Sequence, residues 1–203
     1  MLLRPRGRPA TSRMRSFDPR AVGALETRAW ETYYRRRWGA CLVAFVRLVR
    51  AAFRMPWPRT LAGAYLVLLA NMRWAPYPDN DPEACRRCMR KFYALLRRRY
   101  GEPVDVDKAS ELEVEWWRVH RIHQREEVDG SADPLTEALA ALYAHTYGVE
   151  RAAVLPAARE RADAMDVSDR WVDEGCDLSS PLITQERAAL VRSYAGLLAA
   201  VHR

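Results

Sequence analysis

The sequence predicts an all-α fold, a single-domain bundle of about seven antiparallel helices with a disordered basic arm at its N-terminus. Of the 203 residues, 49% are apolar, which is enough to bury the core of one domain. Seven Trp and nine Tyr argue against disorder, and only nine Gly argue against a loop-rich β protein. Asp-Pro pairs, typical of the first turn of a helix, occur three times.

The arm is predicted over residues 1–16, and the helical domain over 17–203. Residues 1–16 contain five Arg, two Pro and no acidic residue, and they lack the continuous apolar stretch of a secretory signal. Met14 is an alternative start of the chain, in which case the arm would not belong to the native protein.

Prolines and one glycine delimit the first three predicted helices. The first, 18–54, begins with an Asp-Pro pair and ends before two prolines. The second, 58–74, also ends before two prolines. The third, 82–100, follows an Asp-Pro pair and ends at Gly101.

Four further helices are predicted over 107–128, 134–147, 150–174 and 181–203. A glycine follows each of the first three of these helices within two residues. An Asp-Pro pair begins the second and a Ser-Pro pair begins the fourth. Because the intervening loops are short, successive helices are expected to be antiparallel neighbours.

Four charged or titratable residues fall on the apolar stripes of these helices, namely Glu31, His123, Asp169 and Arg187. Burying an unpaired charge is costly, so these side chains should either pair with one another or line a wet cavity. The first alternative is a structural ion-pair network, for example between Asp169 and Arg187. The second is a polar pocket between facing helices.

The pocket hypothesis assigns a function to six residues. Glu31, His123 and Asp169 are assigned to proton transfer. The two carboxylates could also bind a metal ion. Substrate binding is assigned to Tyr34, Trp116 and Arg187, the last of which would hold an anionic group.

A divalent metal site is a further hypothesis, with His120, His123 and Glu113 as ligands. The two histidines are three residues apart and lie on one side of the predicted fourth helix, with Glu113 about two turns away. The Glu-x-x-His motif of di-iron bundles does not occur in the chain. A Cys-x-x-Cys motif occurs at Cys85 and Cys88 and is predicted to pack in the core, because Cys85 and Met89 fit the apolar stripe of their helix.

Charge is unevenly distributed along the chain. The first 104 residues have 22 Lys+Arg and 7 Asp+Glu, a net charge of +15, and the last 99 have 11 and 19, a net charge of −8. Without the five Arg of the arm, the basic part carries +10 against −8. This near-match predicts that the first three helices pack against the last four. The alternative is a non-catalytic interaction or regulatory protein whose basic half binds an acidic partner, nucleic acid or a membrane surface.

No motif specifies a reaction, so whether the protein is an enzyme stays open. Four Cys and no export signal predict a cytoplasmic protein with free thiols. The longest apolar run, 61–72, is too short to span a bilayer. Nucleic-acid contact is expected only as non-specific binding by the arm, and homo-oligomerisation is a further expectation.

Overall fold

A computed structural model describes residues 13–125 and 134–202, and within these ranges the chain is helical with no strand. One short 3-10 turn, Arg13–Arg15, precedes eight α-helices. The helices are α1 (Pro19–Tyr34), α2 (Trp38–Phe53), α3 (Trp57–Trp74), α4 (Pro82–Tyr100), α5 (Val106–His123), α6 (Pro134–Tyr147), α7 (Arg151–Asp173) and α8 (Leu182–Ala200). The prediction of an all-α fold is confirmed.

The eight helices form a closed ring. Each helix packs against the helix before it and the helix after it, and α1 also packs against α8. Short connections such as 35–37 and 148–150 make neighbouring helices antiparallel. None of the described helices is both long enough and apolar enough to cross a membrane.

The prediction of one helix over 18–54 is wrong, because the chain breaks between α1 and α2. Arg36 adopts a left-handed conformation, with φ of 55°. The Arg37 N–H donates to the Thr32 carbonyl at 2.9 Å, which is the hydrogen bond of a Schellman ending. Glycine usually occupies the left-handed position, so the arginine at 36 gave no signal of a break.

Most other helix ends follow the local signals in the sequence, but the helix predicted to reach residue 128 ends at His123, with a turn at 124–125. The Asp18 side chain accepts a hydrogen bond from the Arg20 N–H at 2.9 Å, and Asp81 accepts one from the Ala84 N–H at 2.8 Å. Gly101 ends α4 in the left-handed conformation, with φ of 66°. The third Asp-Pro pair begins at Asp133, which lies outside the described residues.

Part of the expected arm is packed against the ring. Met14 is fully buried, and Arg15 forms an ion pair with Glu102 at 3.4 Å. Arg15 also donates to the Val201 carbonyl at 3.1 Å, so it links the start of the described chain to its end. The expectation of disorder is therefore wrong for residues 14–16, and residues 1–12 lie outside the described ranges.

Replacing Gly23 with Ala tests how closely α1 approaches α8. A Cβ atom at Gly23 would lie 2.8 Å from Val191 Cγ2 and 3.0 Å from its backbone N, so the helices would have to separate. We expect Gly23→Ala to lower the free energy of unfolding by about 1–3 kcal/mol, measured by urea denaturation. In the control Gly196→Ala, the nearest atom is Ala157 Cβ at 3.5 Å, an ordinary contact. That variant should be neutral or more stable by up to about 1 kcal/mol, and equal losses in both variants would contradict the prediction.

A central cavity as the candidate functional site

The ring encloses a cavity of about 750 Å³, and all eight helices contribute residues to its wall. This volume is within the ~300–1,000 Å³ typical of small-molecule sites. Four tryptophans, Trp30, Trp74, Trp116 and Trp117, line it. The cavity contains three environments, which are an interior polar network, an apolar region and an open mouth.

The interior polar network is centred on Glu26 and Arg161. The Arg161 guanidinium contacts Glu26 Oε1 at 2.5 Å, and both side chains are largely buried. The Tyr194 hydroxyl donates to the second Glu26 oxygen at 2.5 Å. Arg161 also donates to the Tyr143 hydroxyl at 3.1 Å and lies 5.3 Å from the centre of the Trp116 ring. Arg161 Nε is buried and has no hydrogen-bond partner among the described residues.

A second carboxylate, Glu113, lines the same interior. It accepts hydrogen bonds from the Tyr93 hydroxyl at 2.6 Å and from Trp116 Nε1 at 3.1 Å. Burial raises the pKa of Glu113, while the bond from Tyr93 and the charge of Arg161 oppose that rise. Both Glu113 oxygens are thus held by donors from the cavity wall.

The apolar region of the wall comes mainly from α2 and α4. Phe45, Val49 and Phe53 of α2 face the cavity, as do Phe92 and Leu96 of α4. These side chains carry no hydrogen-bonding groups, so this region favours the hydrocarbon part of a ligand.

The mouth consists of the exposed lining residues, Arg36, Tyr77, Gln124, Arg125 and Asp173. The Arg125 guanidinium lies 3.8 Å from the centre of the Tyr77 ring. Arg36 donates to the Ala75 carbonyl at 3.0 Å. The mouth therefore combines two exposed guanidiniums, an aromatic ring and the carboxylate of Asp173.

Arg121 lies just inside the mouth and is held by the chain after α3. It donates to the Trp74 carbonyl at 2.9 Å, and its guanidinium lies 4.5 Å from the centre of the Trp74 ring. Burial lowers the pKa of Arg121, and the nearby positive charges of Arg125 and Arg36 lower it further. No carboxylate among the described residues forms an ion pair with Arg36, Arg121 or Arg125.

A hydrogen-bonded group around Asp169 also lines the cavity and includes Gln124 of the mouth. Its Oδ2 lies 3.0 Å from His120 Nε2, and Gln124 donates to Oδ1 at 2.5 Å. Gln124 also donates to the Tyr34 hydroxyl at 3.4 Å. Burial, with the negative charge of Asp169, raises the pKa of Tyr34 well above its ordinary value.

The structure brings only some of the predicted site residues to the cavity. Asp169, Tyr34 and Trp116 line it. Glu31 is buried but forms an ion pair with Arg28 at 2.6 Å, outside the cavity lining. The remaining two are exposed: His123 lies 2.9 Å from Asp166, and Arg187 faces solvent on α8. The four charged residues expected on apolar stripes therefore do not converge, and Asp169 pairs with His120 rather than Arg187.

The three residues predicted as metal ligands have separate partners. His120 contacts Asp169, His123 contacts Asp166, and Glu113 accepts from Tyr93 and Trp116. Within the part of the chain that the structure describes, no three His, Cys, Asp or Glu side chains are grouped to hold a metal ion.

The prediction that Cys85 and Cys88 pack in the core is confirmed. Both thiols are free and buried, and Cys85 Sγ donates to the Ala70 carbonyl at 3.2 Å. Burial raises the pKa of Cys85 to about 12, so its thiol stays protonated and unreactive at neutral pH.

Sequence reasoning missed Glu26, Arg161, Arg121 and Glu186. Arg161 precedes Met165 by four residues and so lies on the apolar stripe of α7, which was the available signal. On α8 the helical period of the sequence placed Arg187 on the apolar stripe, whereas the structure buries its neighbour Glu186, which is 1% exposed. A shift of one residue, or 100° around a helix, is enough to exchange the two.

Comparison of the chain with protein-family models, with curated proteins and with solved structures finds no match. The chemistry of the cavity is therefore interpreted from its own residues, distances and charges.

Breaking the interior pair should destabilise the fold strongly. Replacing Arg161 with Met leaves Glu26 buried without its counter-charge, and we expect a loss of about 3–5 kcal/mol in the free energy of unfolding. The double variant Glu26→Gln/Arg161→Met should recover most of that loss. The control Arg192→Met breaks an exposed pair with Glu160 between α7 and α8 and should cost less than about 1 kcal/mol. Similar losses for Arg161→Met and Arg192→Met in urea denaturation would contradict this assignment.

Glu186 makes stability depend on pH. Burial raises its pKa to about 8, against the effect of the nearby Thr27 and Ser168 hydroxyls. Below the ordinary glutamate pKa the carboxyl is protonated in both states. As pH rises towards 8 only the unfolded chain releases the proton, so folding becomes less favourable.

Glu186→Gln removes this ionisation and should stabilise the protein on the order of 2–4 kcal/mol at pH 8, with little gain at pH 4. Thermal and urea unfolding across that pH range measure the difference. The exposed control Glu111→Gln should change stability by less than about 0.5 kcal/mol. A gain for Glu186→Gln that is the same at both pH values would show that ionisation is not its cause.

Proposed function

We propose that the protein binds a small amphipathic molecule in the central cavity, with an acidic group at the arginine mouth and an apolar body in the interior. One observation carries this proposal. A cavity of about 750 Å³ joins an apolar region to a mouth where the three guanidiniums of Arg36, Arg121 and Arg125 have no carboxylate ion-pair partner among the described residues.

The guanidiniums have donor capacity to spare. Arginine carries five N–H donors in a planar fork that suits carboxylate and phosphate oxygens. Arg36 and Arg121 use some of these donors on the carbonyls of Ala75 and Trp74, which fixes the positions of the side chains. The guanidiniums of Arg121 and Arg125 also lie over the Tyr77 ring, 5.6 Å and 3.8 Å from its centre, which favours these orientations.

The interior supports an apolar body rather than a second charged group. Both Glu113 oxygens accept from Tyr93 and Trp116, and both Glu26 oxygens are bonded to Arg161 and Tyr194. Charge in the interior is therefore largely compensated by the protein itself. At the mouth, the three guanidiniums outnumber the exposed carboxylate of Asp173, which favours a ligand whose acidic end stays there.

The catalytic functions predicted for Glu31, His123 and Asp169 stay predictions. Of the three, Asp169 is at the cavity wall, where its bond to His120 would fix the orientation of the imidazole. This pair favours acid/base chemistry on a bound ligand as a second candidate function. It would act beside the same mouth and therefore depends on the same binding site.

Binding can be measured by isothermal titration calorimetry with three ligands that share one chain length, namely decanoate, decanol and decylamine. We expect saturable 1:1 binding of decanoate with a micromolar Kd, at least about tenfold tighter than that of decylamine. Arg121→Gln should weaken decanoate about tenfold and leave decanol unchanged. The control Arg47→Gln alters an exposed arginine outside the cavity and should have no effect.

A cavity-filling variant locates the binding site. Ala52→Phe places a ring in the cavity wall and should reduce the affinity of all three ligands, while Val43→Phe changes a 54% exposed residue of the same helix and should not. Thermal unfolding checks that both variants fold. Equal affinity of wild type and Ala52→Phe would contradict cavity binding, and equal affinity for decanoate and decylamine would contradict the acidic-end assignment.

A further inference from the structure

The segment from Thr32 to Pro78, which contains α2 and α3, carries eight Arg and no Asp or Glu. Among the described residues, none of these arginines forms an ion pair with a carboxylate. The arginines of this segment therefore form no direct ion pair with the acidic half of the chain among the described residues.

The outer side of α3 is apolar as well as exposed. Trp57, Leu61, Tyr65 and Met72 are exposed by 58%, 52%, 57% and 40%. The first three are spaced four residues apart, and the helical period brings Met72 to the same side of the helix. The opposite side is buried in the ring at Gly63, Ala70 and Trp74. We call the four exposed residues the α3 face.

Arginines flank the α3 face. The Arg50 guanidinium of α2 lies 5.1 Å from the centre of the Trp57 ring. On α3 itself, Arg73 and Arg59 are exposed about 80° and 120° around the helix from Tyr65. An apolar surface of Trp, Leu and Tyr with a basic rim is the pattern of helices that lie in the interface of an anionic bilayer.

We propose that the α3 face docks on the surface of a membrane that contains anionic lipids. The four apolar side chains enter the boundary between headgroups and acyl chains, and the arginines contact lipid phosphates. Docking at a surface requires no helix that spans the bilayer. This inference stands on the surface of α2 and α3 and is independent of ligand binding in the cavity.

Charge and shape favour lipid over other occupants of the α3 face. A second copy of the chain would bring another set of unpaired arginines against this one, which like-charge repulsion opposes. Nucleic acid would satisfy the arginines but would leave Leu61 and Met72 without an apolar environment. An anionic bilayer satisfies both groups at once.

Co-sedimentation of the full chain with vesicles tests the proposal. Wild type should bind vesicles of mixed phosphatidylcholine and phosphatidylglycerol about tenfold or more tightly than pure phosphatidylcholine, and added salt should weaken the binding. Leu61→Asp/Tyr65→Asp should reduce binding to the mixed vesicles about tenfold or more. The matched control Leu178→Asp changes a residue that is 49% exposed between α7 and α8, and it should bind like wild type.

A second variant, Arg59→Gln/Arg73→Gln, keeps the apolar face and should lose much of the preference for anionic lipid. Circular dichroism confirms that each variant folds. Wild-type binding by Leu61→Asp/Tyr65→Asp would overturn the proposal. A second result would also overturn it: wild type fails to bind the mixed vesicles but forms a dimer in light scattering, and Leu61→Asp/Tyr65→Asp abolishes that dimer. The α3 face would then serve self-association.

Discussion

Packing of α1 against α8 closes the ring, and the cavity exists because of that closure. Eight helix axes about 9 Å apart on a regular ring would lie roughly 12 Å from its centre, while a helix with its side chains has a radius of only ~5–6 Å. Helices with side chains of average size therefore leave an open space in the middle of the ring. Large side chains such as Trp30 and Trp116 fill part of it and leave about 750 Å³. At the closure itself, Gly23 admits Val191, and Glu26 of α1 meets Arg161 and Tyr194 one turn further on.

The same architecture separates two kinds of charge. Inside the ring, carboxylates and Arg161 are bonded to one another and to Tyr and Trp donors, as buried charges must be. Outside the ring, the arginines of residues 32–78 have no carboxylate ion-pair partner among the described residues. Pairing between the halves of the chain is sparse: Arg90 contacts Asp107, whereas the Glu26–Arg161 pair has its acid in the basic half. Net charges of the two halves thus said little about which side chains meet.

Local signals predicted most helix ends, because a capping Asp or a left-handed Gly acts within one turn. The break at Arg36 had no such signal, since tertiary contacts hold an ordinary residue in the left-handed conformation: its guanidinium bonds the Ala75 carbonyl and lies over the Tyr33 and Trp38 rings. For the site, the helical period correctly predicted three cavity residues, Tyr34, Trp116 and Asp169. It pointed to His123 and Arg187, whereas the structure buries His120 and Glu186. Residues one or three apart lie only about 100° or 60° from each other around a helix. Packing against a neighbouring helix decides which one is buried.

The two proposals meet at the end of α3. Met72 is the last residue of the α3 face, and two residues later Trp74 lines the cavity and its carbonyl holds Arg121. The arginine-rich segment thus contributes to both the outer face and the mouth, through Arg59 and Arg73 on one and Arg36 on the other. An amphipathic ligand partitions into membranes for the same reason that it would enter this cavity, because its apolar body avoids water. If the mouth lies next to a membrane-docking face, the ligand has a short path between the membrane and the cavity. This gives a physical reason for residues 32–78 to contribute to both the α3 face and the mouth.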